Sequence, residues 1–462
     1  MTRSTNQKDN QVEKLDYSKI IPVFVIILID LLGLTIIIPL LSLYAASYGA
    51  NAATIGVLGA VYPAAQVVGA PFLGRLSDRF GRKPILIVSQ MGTLIGFLLL
   101  GFAGSLWMLF LSRLLDGLSG ANIATAQAVI TDSTTEKTRT QGLGLVGAAF
   151  GLGFVVGPVI SFLSLSISHN NFHVPAFIAA GFSLISILLT IFILKETHPR
   201  GLRVTLNTKR EFRLSLLLQT LRMPLVGFLL VLIFIQQLAF GGFQQMLSLF
   251  TLNKLGLDAS GNSIIFVFVG FVVIAVQGYF IGKWSRKFGE VKLIRFGLIA
   301  LTVGLILTSL TPRIPPPWYS RQAVENQLTG ERNLPGETPP VKNLQIPLPP
   351  EGNQGWLGIV WIMAAMVPAA VGGGVLQPSI NSLLTRSVSV QNVGGTLGLS
   401  AALLSAANAT APLIGGVLFQ SINSSAPYLF GAILILLVFP FTFRGLREQT
   451  KTDSSGAGNP GV

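Results

Sequence analysis

Gly74-Arg-Leu-Ser-Asp-Arg-Phe-Gly-Arg-Lys83 lies between two apolar runs, and Gly282-Lys-Trp-Ser-Arg-Lys-Phe-Gly289 repeats its outline 208 residues later. A second echo follows. Gly142-Leu-Gly-Leu-Val-Gly-Ala-Ala leads to Pro158, and Thr396-Leu-Gly-Leu-Ser-Ala-Ala-Leu leads to Pro412, an offset of 254 residues. The offsets differ by 46, close to the 44 residues of a proline-rich stretch at 312–355 that falls between the two matches. The chain therefore reads as two related halves, with one insertion in the second.

Composition says what solvent those halves face. Of 462 residues, 51% are hydrophobic and 11% charged, and the mean hydropathy is +0.66. A soluble domain carries about 25% charged residues, so a soluble, solenoid or disordered protein is excluded. A helix needs about 20 apolar residues to cross a bilayer. Twelve candidates appear, at 20–44, 54–74, 84–103, 106–130, 141–164, 175–194, 224–250, 260–282, 292–311, 356–383, 392–418 and 426–443. The expected fold is an all-α membrane protein with twelve transmembrane helices in two pseudo-symmetric six-helix bundles, 20–194 and 224–443. A basic linker at 195–223 joins the bundles, with tails at 1–19 and 444–462.

Charge orients the bundle. Loops after even-numbered spans, the linker and the tails hold 26 of the 32 Lys and Arg residues. Of the loops after odd-numbered spans, four have no charge and one has only Lys254 and Asp258. The positive-inside rule then places both termini in the cytoplasm of a multi-pass cell-membrane protein. The net charge of +14 comes from these short runs and is no nucleic-acid footprint. The stretch 312–355 holds ten of the 25 prolines and four acids against four bases. It is expected to be an extended or disordered outer loop.

Several motifs carry chemistry. Gly74, Asp78, Arg79, Gly81, Arg82 and Lys83 form G-x-x-x-D-R-x-G-R-K after the second span. The glycines permit a tight turn, and Asp78 can meet a cation or the positive end of a facing helix. The fourth span carries Arg113-Leu-Leu-Asp-Gly117. An arginine at mid-membrane costs about 2.5–3.5 kcal/mol to insert, so it should face protein. Asp116, three residues on, is the plain structural partner. Gly153-Phe-Val-Val-Gly-Pro158 in the fifth span allows close packing and a bend at Pro158. Asp30-Leu-Leu-Gly-Leu-Thr-Ile-Ile-Ile-Pro39 sets a carboxyl group inside the first apolar run, where it can take up and release a proton. In the seventh span Gln237, Phe240, Gly241 and Gln244 share one helical face, an amide pair beside an aromatic ring. Asn408, Asn122 and Gln127 are weaker candidates for the same cavity.

These motifs resemble the major facilitator superfamily. The ten-residue loop matches its cytoplasmic signature at every defined position. In that family the loop latches the cytoplasmic side against the eleventh span, here beginning near Gly394. Arg113 to Gly117 is similar to the R-x-x-x-G motif linked to proton coupling in drug:proton antiporters. Gly153, Gly157 and Pro158 resemble the antiporter motif G-x-x-x-G-P-x-x-G-G, although Ser161 and Phe162 stand where its last glycines would be. The second half partly restores it with Pro412, Gly415 and Gly416. The Asp30 pattern is similar to that of tetracycline-type exporters.

The resemblance implies a major facilitator fold with its substrate site between the halves near the midplane. It implies proton-coupled efflux of small amphipathic or hydrophobic compounds by alternating access. Asp30, Arg113 and Asp116 would couple the proton, and Gln237, Phe240, Gln244 and Asn408 would touch substrate. The alternative is a proton-coupled symporter or facilitator for a small metabolite. A non-transporting sensor is a further class. An enzyme is not expected, because His169, His173 and His198 fall in loops and no embedded cluster resembles a metal or nucleophile site. No cofactor or metal is expected. The proton gradient would supply the energy, since no nucleotide-binding loop is present. The expected partners are a small-molecule substrate, protons and the lipid bilayer, with no nucleic acid and a working monomer.

Overall fold

A computed structural model describes residues 17–120, 122–134, 138–197, 223–329, 344–388 and 393–446. Most of both tails and of the linker, including His198, lies outside these residues. Among the described residues every regular element is a helix. In the first half, α1 (Tyr17–Ile37) and α2 (Leu41–Ser47) make the first span, parted by a turn at Pro39. Next come α3 (Ala52–Phe80) and α4 (Arg82–Gly101). The fourth span is two pieces, α5 (Leu106–Ser119) and α6 (Asn122–Asp132). Helices α7 (Arg139–Ile167) and α8 (His173–Phe192) complete the half.

The second half begins with α9 (Pro224–Leu255). The eighth span is α10 (Ala259–Ile274), a π-helical turn at Ala275–Phe280, and α11 (Ile281–Phe288). Then follow α12 (Glu290–Ser309), a short α13 (Arg321–Thr329), α14 (Leu357–Arg386), α15 (Val393–Ser421), α16 (Ala426–Val438) and α17 (Phe441–Gly445). Ten of the twelve spans contain a helix long and apolar enough to cross a membrane alone. The fourth and twelfth are built of shorter pieces. Large apolar side chains such as Val68, Ile167, Phe192 and Leu437 point outward, as hydrocarbon surroundings allow.

The repeat is visible in backbone geometry. Gly81 and Gly289, 208 residues apart, both turn with positive φ, 111° and 75°, a conformation that glycine adopts without strain. Each joins two helices at the basic end of the bundle, the end that carries Gly74–Lys83.

The halves are bolted together toward the opposite end. A Cβ at Gly56 would collide with the Pro412 carbonyl oxygen, and one at Gly416 with the Ala52 carbonyl oxygen. Backbones of α3 and α15 therefore meet directly, as small residues in membrane helices permit. The Ala52 amide donates to Gln420 Oε1 (3.1 Å). Ser248 donates to the Pro39 carbonyl (2.8 Å), Ser42 to the Gln245 carbonyl (3.3 Å), and Asn170 to Asp258 (2.9 Å).

The proline-rich stretch departs from the expected extended or disordered loop. Tyr319, Val324, Leu328, Ile346 and Leu348 are buried in the main apolar core. Tyr319 donates to the Pro349 carbonyl (2.9 Å), Arg313 to that of Leu348 (2.9 Å) and Asn253 to that of Pro347 (2.8 Å). Burial pushes the Tyr319 hydroxyl up to about 12, so that hydrogen bond survives at neutral pH. Spaced apolar residues among the prolines give this segment a core-facing side that its composition hides. Helix α13 reaches across to α2 of the first half. Residues 330–343 lie outside the described set.

The chain has no native cysteine, so introduced pairs are unambiguous. Cysteines at Ala52 and Gln420 should be joined efficiently by a short bifunctional reagent. Adding Gly56→Val should cut that yield sharply, because overpacking at a tight contact costs about 1–3 kcal/mol.

Candidate functional site

The break in the fourth span builds the site. Gly120 ends α5, and its carbonyl oxygen accepts a hydrogen bond from Gln66 Nε2 of α3 (2.9 Å). The break leaves Asn122 at the start of α6. Its Nδ2 donates to Asp30 Oδ2 (2.8 Å) and to Thr93 Oγ1 (3.3 Å). Thr93 in turn interacts with the Asp116 side chain. Asp116 pairs with Arg113 at 3.2 Å, each side chain 3% exposed. A continuous polar chain thus runs Asp30, Asn122, Thr93, Asp116, Arg113, through three spans of the first half. The Arg113 guanidinium also lies 5.5 Å from the centre of the Phe97 ring and donates to Ser112.

Asp30, Tyr62, Gln66, Thr93, Asp116 and Asn122 line a small pocket of about 20 Å³. Every residue lining it belongs to the first half. Irregular backbone is tolerated at membrane depth where it borders such a cavity. Asp30, Arg113 and Asp116 are therefore brought together. The pairing of Arg113 with Asp116 coexists with a link to Asp30, so the plain ion-pair reading and the coupling reading describe one network.

The loop signature is placed differently. Asp78, 66% exposed, pairs with Arg82 of its own loop at 2.5 Å, and Arg82 also reaches Asp132 at the end of α6 (2.9 Å). Arg79 and Gly74 are not drawn into these bonds, and open space surrounds Gly74. A cation at a helix N-terminus opposes the helix dipole. Glu196, beyond α8, offsets this by accepting from the backbone amides of Arg82 (2.9 Å) and Lys83 (3.2 Å). The Lys83 ammonium donates to the Ile191 carbonyl (2.7 Å). The loop is thus fastened within its own half.

A counterpart appears in the second half with its charges exchanged. Glu290, 208 residues after Arg82, meets Arg386, 254 residues after Asp132, at 3.0 Å. Ser285 and Ser382 also donate to Glu290 (3.2 and 3.0 Å). Both offsets are those of the sequence repeat.

In the antiporter motif, the Gly157 backbone packs against Thr35 of α1, with Leu31 beside Gly153 and Pro158 inside α7. Gln237 donates to Asn408 Oδ1 at 2.7 Å, with Gly241 against both. Phe240 stacks on Phe243 at 5.8 Å and its ring lies against Gly373. Gln244 is half-buried. These four second-half candidates do not line the Asp30 pocket. Asn122, first ranked as weak, is central, while Gln127 is exposed. The Ser119-Gly120 dipeptide was the overlooked signal. His173 is not in a loop: it is buried at the first turn of α8, bonded to Tyr44 (2.9 Å) and the Gly101 carbonyl (3.0 Å).

A two-fold repeated helical bundle with a buried acid–arginine network in one half defines a class of polytopic membrane proteins, and comparison makes it specific. A sequence profile of the Major Facilitator Superfamily matches residues 23–320. The chain belongs to that superfamily of transporters. The class B tetracycline resistance protein of Escherichia coli is 28% identical, over 93% of this chain and 98% of that one. The class E protein of Escherichia coli is 35% identical, over 62% and 71%. Multidrug resistance protein 1 of Bacillus subtilis is 25% identical, over 90% and 92%. Among solved structures, the nucleoside transporter NupG superposes with a TM-score of 0.65 at 12% identity, over 92% of this chain and 99% of that one. The human organic anion transporter MFSD10 gives 0.59 at 19%, over 93% and 100%. These two share the fold.

Removing one partner of a buried ion pair leaves the other charge uncompensated, at about 3–5 kcal/mol. Arg113→Ala should therefore lower the thermal midpoint in detergent markedly. Arg113→Met with Asp116→Leu, which removes both charges, should recover most of that loss while leaving transport impaired.

Proposed function

We propose that the protein exports small amphipathic compounds, of the kind tetracyclines and lipophilic cations represent, in exchange for protons. Its basic end faces the cytoplasm, with both termini there, in the cell membrane. The observation that carries this reading is the polar chain from Asp30 to Arg113 beside a pocket in the first half. The relatives named as tetracycline and multidrug resistance proteins support the substrate class.

The halves touch closely at the end away from Gly74–Lys83, while Asp78 at the basic end is exposed and bonded within its own loop. Such a state presents its interior to the basic side. Alternating access would loosen the Gly56–Pro412 and Gly416–Ala52 contacts and bring the loop of Asp78 against the start of α15. Asp78 would then exchange its bond to Arg82 for contacts on the other half.

The Asp30 pocket is too narrow for a whole drug. It suits the polar or cationic group of a substrate whose apolar body lies between the halves, near Gln237, Phe240, Gln244 and Asn408. Substrate approach would favour loss of the Asp30 proton. Asn122 holds the carboxylate once it forms, and the Thr93–Asp116–Arg113 chain adjusts its charge environment. No cofactor is needed: the proton gradient supplies the energy. One chain carries both halves, so a monomer suffices.

The test is transport in proteoliposomes with an imposed pH gradient. Tetracycline, lipophilic cations and neutral drugs are added while lumenal pH is followed. Substrate-triggered proton movement in the parent protein and its loss in Asp30→Asn is the expected result. Proton movement that survives the substitution would remove Asp30 as carrier. Uptake of a metabolite without any response to drugs would replace export by symport.

A further inference from the structure

On the basic-end side of Asp30 lies a second void, within the first half, lined by Ile26, Ile27, Asp30, Leu86, Gln90, Asn122 and Ala126. It has room for about one water molecule. Asp30 and Asn122 line both this void and the larger pocket, so their hydrogen bond forms the partition between them.

Three residues on the wall of this void each carry a buried oxygen without a partner: Asp30 Oδ1, Asn122 Oδ1 and Gln90 Oε1. The amide orientations follow from their neighbours. Gln90 Nε2 donates to Ser186 Oγ (2.7 Å), whose own hydrogen is directed at the Ile26 carbonyl (3.3 Å). Ser186 therefore needs a donor, and Gln90 must present its NH₂ there and its oxygen elsewhere. Asn122 likewise spends its NH₂ on Asp30 and Thr93. Buried acceptors left unmatched are costly, about 1–3 kcal/mol each, and ordered water beside them is the usual remedy.

We propose that Gln90 is a positioning residue for proton transfer. With Asn122 it holds a water against Asp30, and Asp30 exchanges its proton with the basic-end side through that water, not through the pocket open to substrate. The step balances as an acid dissociation. The carboxyl O–H bond of Asp30 breaks, an O–H bond forms on the water, and the carboxylate keeps the electron pair. The resulting hydronium has three hydrogens, matching the three oxygens. The ionisable groups that interact with Asp30 are Asp116 on α5 and Tyr62 on α3, both lining the larger pocket. Neither lines the smaller void. The arrangement gives proton and substrate separate approaches to one carboxyl group.

The inference rests on Asp30 as proton carrier, and the test separates the two. Attenuated-total-reflection infrared spectroscopy of the full chain in lipid, without substrate, would follow the carboxylic C=O band that Asp30→Asn removes. On transfer to D₂O, the band in the parent protein should shift quickly. In Gln90→Met, which keeps side-chain size but removes the acceptor, the shift should slow by about tenfold or more, as loss of a hydrogen bond to a charged intermediate implies. Ser186→Ala, which frees the Gln90 amide, should slow it too and covers a failure of Gln90→Met to fold. An unchanged exchange rate in both variants would overturn the role of Gln90 while leaving Asp30 intact. A band that persists in Asp30→Asn would overturn the Asp30 reading itself, and this inference with it.

Discussion

Ionisable groups in the middle of a bilayer survive only when protein surrounds and pairs them, and the first half is organised around that constraint. Arg113 and Asp116 neutralise each other in a nearly water-free setting. Thr93 and Asn122 extend the network to Asp30. The extension requires the fourth span to break at Gly120, because an unbroken helix would offer neither a free carbonyl nor Asn122 at its tip. Gln66 then satisfies that carbonyl. The break, the pocket and the hydrogen-bond chain are one device.

The two halves share a backbone plan and divide the chemistry. The first holds the buried acids and the arginine. The second offers an amide pair, Gln237 with Asn408, and aromatic rings. At the basic end the division takes another form: Arg82 with Asp132 in one half, Glu290 with Arg386 in the other, at the same repeat offsets. Each pair ties the start of one span to the end of the next, so either sign order satisfies the geometry. Glu290 also agrees with the dipole of α12, whereas Arg82 needs Glu196 to counter that of α4.

Much of this was legible in the chain. Apolar run lengths gave the spans, and two echoed segments gave the halves and even the offsets of the exchanged ion pairs. Asp30, Arg113 and Asp116 stood out because charges are rare in such runs. Asn122 did not, since an amide in a membrane helix is unremarkable until the helix is known to break beside it. The packing of the proline-rich stretch is not legible, because composition hides the spacing of Tyr319, Val324, Leu328, Ile346 and Leu348, which lie buried in the main apolar core. The π-helical turn at Ala275–Phe280, where Gln277 reaches the Gly374 carbonyl (3.4 Å), had no sequence signal.

The central claim is that closure at one end of the bundle trades against opening at the other, governed by the charge state of the first-half network. Spin-label distances test it directly. One pair would be placed at Arg75→Cys and Gly398→Cys on the basic end, another at Ala53→Cys and Ser421→Cys on the opposite end, each measured across pH with and without Asp30→Asn. The account predicts that the two distances change in opposite senses with pH, and that Asp30→Asn holds both at one limit. Distances that move together, or that ignore both pH and the substitution, would contradict it.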